Sequence, residues 1–294
     1  MSDINSKTLS NKIDFAVIIS VRRANPNGDP LSGNRPRQTY DGYGEISDVC
    51  LKRKIRNRLQ DMGESIFVQS DDNRVDDSRS LNDRLVKAKL TDIRKDGCAK
   101  WFDVRAFGQV FAKKKGKGNS TDGSADSVSV GIRGPVTIQS AFSLDPITPE
   151  SIQIVKSVNL ETNAKDPDKK GSDTMGMKHR VDKGIYVAYG SINTQLASKT
   201  GFTDEDGEKI KAALRSLFVN DVSSARPDGS MEVLKVVWWK HNSPIGQYSS
   251  AKVHRALREL LDVKKDGTYD SDKLREKLPD LVTEELDQLE GAEL

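Results

Sequence analysis

The sequence is poor in cysteine and histidine. It holds two cysteines, Cys50 and Cys98, too few and too isolated for a disulfide framework or a zinc site, and each is expected to be a small buried hydrophobe. Its three histidines, His179, His241 and His254, fall on different segments, and none has metal-ligand spacing to another His or Cys. Asp29, Asp41 and Asp48 could in principle hold a divalent ion, but loops and helix caps use aspartate routinely, so neither a metal nor a cofactor is expected. No Gly-Lys-Ser/Thr ending follows the Gly28-Asp29-Pro30 turn, which excludes a nucleotide P-loop there. No apolar run approaches the roughly 18 residues of a membrane span. Met1 to Lys12 is polar and lacks the apolar core of a secretory signal, so a cytoplasmic location is expected. Internal repeats are absent.

What is present is charge. Charged residues make up 31% of the 294 positions against 35% hydrophobic, the composition of a globular chain with a highly charged surface. The net charge of +3 conceals an asymmetry: residues 259–294 carry 12 acidic and 5 basic side chains, a net of −7, which leaves about +10 on residues 1–258. A basic body points to a polyanionic partner, and the acidic segment reads as a detachable solvated helix or a contact for a neighbour.

The periodicities predict an α+β fold. Ile13 to Arg22 sets Phe15, Val17, Ile19 and Val21 against Ala16, Ile18 and Ser20, the alternation of a half-buried strand. A long loop rich in Gly, Pro and Asn follows to Gly44. Ser47 then caps a helix with Leu51, Ile55, Leu59 and Met62 on one face, stopped by Gly63. Leu81 to Ile93 reads as a second amphipathic helix ending near Gly97, Trp101 to Phe111 as a strand or buried loop, and Lys113 to Asp126 as a flexible loop. Ser127 to Ser143 reads as a strand bent at Gly134-Pro135, and Ile185 to Leu196 as another. Between them Glu161 to Arg180 is a polar excursion that reads as a projecting hairpin. Thr203 and Asp206 form a capping box for a helix buried through Ile210, Leu214, Leu217 and Phe218, and Met231 to Trp239 closes the series as a strand. Without insertions the order is strand, helix, strand, strand, helix, strand, the ferredoxin-like arrangement shared by RNA recognition (RRM-like) modules.

The candidate contacts for a polyanion are basic. Lys52, Arg53 and Arg56 lie on one flank of the first helix and Lys54 and Arg58 on the other, with no acidic residue between them, so the helix should repel itself unless a polyanion compensates. The preceding loop adds Arg22, Arg23, Arg35 and Arg37, with Asn25, Asn27 and Asn34 as neutral donors around Gly28 and Gly33. The excursion ends in Met175, Met177, Lys178, His179 and Arg180, where methionines could wedge between bases beside cations that contact phosphate, or could simply pack under a loop. Lys183 to Tyr189 is similar to the aromatic strand motif of RNA recognition modules, with the second aromatic position shifted.

These segments resemble a known family. Arg23-Ala-Asn-Pro-Asn-Gly-Asp-Pro30, Gly33-Asn-Arg-Pro-Arg37 and Asp48-Val-Cys-Leu-Lys-Arg-Lys-Ile-Arg56 are similar to the CRISPR-associated Cas-seven backbone family, with a subtype that looks like I-C (Csd-two type). The similarity continues through Asp103-Val-Arg-Ala-Phe-Gly108, Gly131-Ile-Arg133-Gly-Pro-Val136, Met175-Gly-Met-Lys-His179 and Gly184-Ile-Tyr-Val187, and covers roughly residues 13–260. It implies a hand-like, modified RNA recognition fold: a palm over residues 1–260, a loop and helix insertion at about 64–126, a thumb at about 156–182 and an acidic segment from 261 to 294. It implies copies stacked into a helical filament along a guide RNA (crRNA), with a palm gripping phosphates, Arg133 included, and a thumb flipping bases at intervals. The intervening segments would pair with target DNA, within a Cascade that also contains a Cas-five type subunit and a large subunit. Sequence is then read by base pairing while protein handles backbone and shape. The acidic segment matches nothing in the family.

Two other classes stay open on the residues: a guide-RNA-processing endoribonuclease with a histidine such as His179 as base, and a monomeric RNA-binding module. By resemblance, RNA processing falls to the Cas-five type subunit, so no catalytic residue is expected here.

Overall fold

The computed structural model describes residues 8–111, 129–155 and 175–290. Strand β1 (Ile13–Ala24) lies near the middle of a large antiparallel sheet. A long loop after it carries two short strands, β2 (Gly28–Asp29) and β3 (Arg35–Pro36), then β4 (Tyr43–Ile46) and helix α1 (Asp48–Asp61). Helices α2 (Leu81–Ala88), α3 (Ile93–Lys100) and α4 (Phe102–Phe107) lead to a hairpin of β5 (Gly108–Phe111) and β6 (Val130–Arg133). The chain re-enters the main sheet as β7 (Val136–Ile138) and β8 (Ala141–Pro146), leaves it as β9 (Pro149–Val155), and returns in the 18-residue β10 (Met175–Ile192). Helices α5 (Thr194–Thr200) and α6 (Asp204–Arg215), strand β11 (Met231–Lys240), helices α7 (Ser250–Lys264) and α8 (Ser271–Lys277) and strand β12 (Val282–Leu286) complete it. The sheet runs β12-β11-β1-β10-β8-β4, with β7 and β9 also paired to β10.

Helices cover both faces of this sheet. On one, Phe15, Val17, Ile19 and Val21 meet Leu51, Ile55 and Leu59 of α1 and Ile210 and Leu214 of α6. On the other, Ala16, Ile18, Val187, Val237 and Trp239 meet Val253, Leu257 and Leu261 of α7 and Leu274 of α8. Hence β1 is buried from Ile13 to Val21 rather than half-buried as its alternation predicts. The covering helix is signalled only by the spacing of Val253, Leu257 and Leu261, an apolar helical stripe hidden among charges. A third cluster, Phe67, Cys98, Trp101, Val104, Phe111 and Ile132, joins α3, α4 and the β5–β6 hairpin.

Several expectations are corrected by local chemistry. The predicted helix over Leu81–Ile93 is two helices, because Lys89 takes a left-handed φ of 48° as the C-cap of α2 and Asp92 caps α3 by accepting from Arg94 and Lys95 amides. Trp101–Phe111 is neither strand nor loop throughout: α4 occupies its first half and Gly108, at φ 79°, turns the chain into β5. A Cβ at Gly108 would sit 2.2 Å from the Ile132 carbonyl oxygen, and one at Gly134 2.2 Å from that of Ala106, so the two segments cross where only glycine fits. The strand predicted over Ile185–Leu196 ends at Ile192, because Asn193 caps α5. The capping box at Thr203 and Asp206 and the N-cap at Ser47 form as expected. The acidic segment does not detach: β12 pairs with β11 from Val282↔Lys240 to Leu286↔Val236, and Leu274, Leu278 and Leu281 are buried. Lys113–Asp126 and most of the Glu161–Arg180 excursion lie outside the described residues. Among the described residues no helix is long and apolar enough to cross a membrane.

Candidate nucleic-acid interface

The basic helix proves to be internally compensated. Lys52 pairs with Asp48 at 3.0 Å, and Arg53 donates to the Val68 carbonyl at 2.7 Å. Arg56 donates to Asp103 at 3.0 Å and lies over the Phe107 ring. On the other flank Lys54, only 3% exposed, pairs with Asp221, which also receives Arg226 at 3.2 Å, and buried Arg58 donates to Ser216 at 2.7 Å. Burial lowers the Lys54 and Arg53 pKa values despite nearby carboxylates. The expected self-repulsion of the α1 cations is therefore corrected: Lys52 is met by Asp48 in the first turn of the same helix, while Arg56 and Lys54 are met by Asp103 of α4 and Asp221 of the loop after α6, both far away in sequence.

The loop after β1 divides into scaffold and surface. Asn25 is buried and its amide donates to the Asn34 carbonyl at 2.7 Å, while Asn27 accepts from the Ser47 amide and hydroxyl, each at 2.9 Å, tying the loop to the cap of α1. Asn34 itself sits at φ 58°, and a Cβ on Gly28 would approach its carbonyl oxygen at 3.2 Å. The close approach that glycine permits is thus to the loop's own backbone, which removes Asn25 from the exposed set. Arg37 faces Asp29 at 3.7 Å, and Arg23 faces Asp182 at 3.5 Å. Arg22 and Arg35 are exposed with no carboxylate partner among the described residues.

The third group stands on a two-stranded ribbon. Strands β9 and β10 pair antiparallel from Met175↔Val155 to Val181↔Pro149, and the pairing of β10 with β1 reaches only as far as Val181, opposite Ala24. Paired residues share a face. One face therefore carries Met175, Val155, Met177, Gln153, His179 and Ser151, with His179 Nδ1 2.8 Å from the Ser151 hydroxyl and the Gln153 amide 2.8 Å from the Met175 sulfur. The other carries Ile154, Ile152, Lys178 and Arg180, the last bound to Glu150 at 2.9 Å. Met175 is 66% exposed and Met177 54%, with Ile154 and Val155 about as open. Among the described residues, nothing covers the two methionines on the ribbon. Lys178 has no carboxylate partner among the described residues. At the root of the ribbon a cleft of about 510 Å³ is lined by Ile147, Ile185 and Leu234 with both cations, Arg22, Lys183 and Lys265, and carboxylates, Asp145, Glu232 and Asp266, Lys265 being bound to Asp145 at 2.9 Å.

Two other sequence signals land elsewhere. The aromatic strand motif supplies no stacking platform, since Tyr186 and Tyr189 are buried in the covered sheet. Arg133, on β6, stands near α3 and α5, at the opposite end of β10 from the ribbon.

Sequence separation also hides a buried cluster. His241 Nε2 lies 2.8 Å from Asp14 Oδ2, Lys12 is 3.1 Å from the same oxygen, and His254 donates to the Gly190 carbonyl at 3.1 Å with Asp14 Oδ1 at 3.8 Å. Because His241 Nδ1 accepts from the Gln247 amide at 3.1 Å, the proton sits on Nε2 and points at Asp14. Burial raises the Asp14 pKa, but its hydrogen bonds to His241 and Ser250 and the Lys12 charge outweigh burial and hold it low; burial pushes His254 down. With Asp14 and His241 at 0% and 1% exposure, this cluster fastens β1, β11 and α7 together and offers no access to a substrate. Among the described residues no group of three His, Cys, Asp or Glu side chains could hold a metal ion.

The fold and part of the sequence are similar to those of known proteins. A CRISPR-associated protein Cas7 from Haloferax volcanii is 25% identical over 304 aligned residues, covering 96% of this chain and 84% of the relative. A chain of a solved CRISPR RNA-guided surveillance complex, in a pre-nicking state, superposes with a TM-score of 0.50 at 17% identity, covering 92% of this chain and 89% of that one, a likeness of fold. Residues 11–282, from just before β1 to the first residue of β12, match the profile of CRISPR-associated protein Cas7, and the chain belongs to that family.

Proposed function

We propose that the chain is a non-catalytic subunit that binds guide RNA, lines up with copies of itself along that RNA, and forms the backbone of a type I-C antiviral Cascade that recognises target DNA by base pairing. Four strands and two helices support an RRM-like palm: β1, α1, β8, β10, α6 and β11 follow in chain order, and the strands lie side by side as β11-β1-β10-β8. The palm departs from a simple RNA recognition module because α7 and α8 occupy the sheet face on which bases would stack.

The observation that carries the reading is the β9–β10 ribbon. Exposed thioethers and aliphatic side chains on a projecting ribbon are costly in water and suit insertion between bases, and Lys178 beside them suits phosphate. Arg22, Arg35 and Lys183 extend the cationic surface toward the palm. The test is a sizing column run with and without guide RNA, and with labelled repeat RNA in the same tube. RNA should shift the protein into a series of large species and emerge uncut. One copy per RNA would leave a monomeric binder, and specific cleavage lost in His179→Ala would make the chain a nuclease.

A further inference from the structure

A second cationic groove lies between α3, β6 and α5, with a volume of about 300 Å³, lined by Arg94, Ile132, Arg133, Leu196, Lys199 and Thr200 beside Gly131. No carboxylate lines it, and Arg94, Arg133 and Lys199 are exposed with no carboxylate partner among the described residues. Three unpartnered cations from three separate elements contrast with α1, where every cation is occupied. An independent feature points the same way. Thr200 is only 6% exposed, and its hydroxyl, buried among these elements, has no hydrogen-bond partner. A buried hydroxyl without a partner is rare in a folded chain, and an acceptor oxygen entering the groove would satisfy it. Guanidinium groups with fixed donor forks, an ammonium and a hydroxyl form a donor set suited to the non-bridging oxygens of a phosphodiester.

We propose that this groove is a second phosphate-binding site for single-stranded nucleic acid. Arg94, Arg133 and Lys199 supply the charge and Thr200 the neutral donor. Met177 and Ile192 are 15 residues apart on β10, so at the rise of an extended strand the groove lies roughly 50 Å from the ribbon. The two surfaces therefore contact different phosphates. The inference goes beyond the ribbon reading and rests on it only for the class of ligand.

Lysine acylation read by mass spectrometry tests it, using a single-stranded RNA oligonucleotide short enough that sizing shows one copy per strand. Lys183 marks the ribbon root and Lys199 the groove. Protection of both is expected. In the Arg94→Gln/Lys199→Gln double variant the salt dependence of RNA binding should flatten by about 1.4, at roughly 0.7 for each phosphate no longer neutralised. Thr200→Val, which keeps the shape and removes the donor, should weaken binding without changing that slope. Protection of Lys183 alone, with an unchanged slope in the double variant, overturns the groove and leaves the ribbon reading standing. Protection of Lys199 alone supports the groove and removes the ribbon reading; protection of neither removes both. If polyglutamate protects Lys199 as well as RNA does, the groove is a docking site for acidic protein and the proposal falls.

Discussion

Helix α1 and the β9–β10 ribbon are both basic in sequence and opposite in structure. The five cations of α1 are held by Asp48, the Val68 carbonyl, Asp221, Asp103 and Ser216, so the helix is part of the packing. The ribbon holds Lys178 without a carboxylate and exposes its apolar side chains. Basic residues thus serve as internal fasteners where the fold brings carboxylates to them and as a free surface where it does not. Counting charges along the chain cannot tell the two apart.

The largest effect should come from removing a fastener. Asp103, 1% exposed, accepts from the Phe67 and Val68 amides at 2.7 and 3.0 Å as well as from Arg56. Asp103→Ala should cost about 3–5 kcal/mol in urea unfolding, because it leaves buried donors and a charge unpaired. A loss below about 1 kcal/mol would mean that α1 is free after all.

On the ribbon the effect should move from stability to affinity. Lys178→Ala/Arg180→Ala should leave unfolding within about 0.5 kcal/mol of the parent. Guide-RNA binding should weaken, with a salt slope flatter by about 0.7 for each single-strand phosphate that the variant no longer neutralises. An unchanged slope would place the RNA elsewhere.

Acid should likewise act on the fasteners first. His254 has a folded pKa below the ordinary 6.5, so the unfolded chain binds its proton more readily and stability falls as pH drops from 6.5 toward the folded value. Asp14, also held low, contributes stability that is present above 3.8 and lost as pH falls through its folded pKa. Unfolding followed from pH 7.5 to 5 should show this slope, and His254→Gln should flatten it; a slope that survives the substitution assigns the effect to other groups.

The smallest effect on the protein should come from Met175→Ala/Met177→Ala, which removes exposed side chains. Stability and salt slope should stay put, while chemical probing of bound RNA should lose its periodic reactive positions. If the substitution costs the few kcal/mol of a core cavity and the RNA pattern persists, the methionines are ordinary packing.

Much of the fold is legible in the sequence because it is written at short range. The strand β1, the cap of α1, the capping box of α6 and β11 all follow from residues within a few positions of each other. Helix α7 is masked because Lys252, Arg255, Arg258 and Glu259 interleave with its apolar stripe, and β12 because Glu284 and Glu285 look solvated until Lys211 and Arg275 meet them at 2.9 Å each. The site follows the same rule. Met175 to Arg180 is visible as a local cluster at the end of a polar stretch. The roles of Asn25 and α1 are not, since they depend on Asn34, Asp103 and Asp221 arriving by tertiary folding.

The continuity of β10 has a mechanical consequence. Its 18 residues form one beam of about 60 Å, clamped between Val181 and Ile192 by β1 and free of that clamp from Met175 to Arg180, where it is bonded to β9. A sideways load on the outer stretch passes into the clamped part through covalent bonds, and tilting it requires several sheet hydrogen bonds to shear together. The beam therefore works as a measuring rod whose length is set by residue count. Two residues added to both β9 and β10 near Val181 would carry its outer end about 7 Å further out while preserving which side chains face which way.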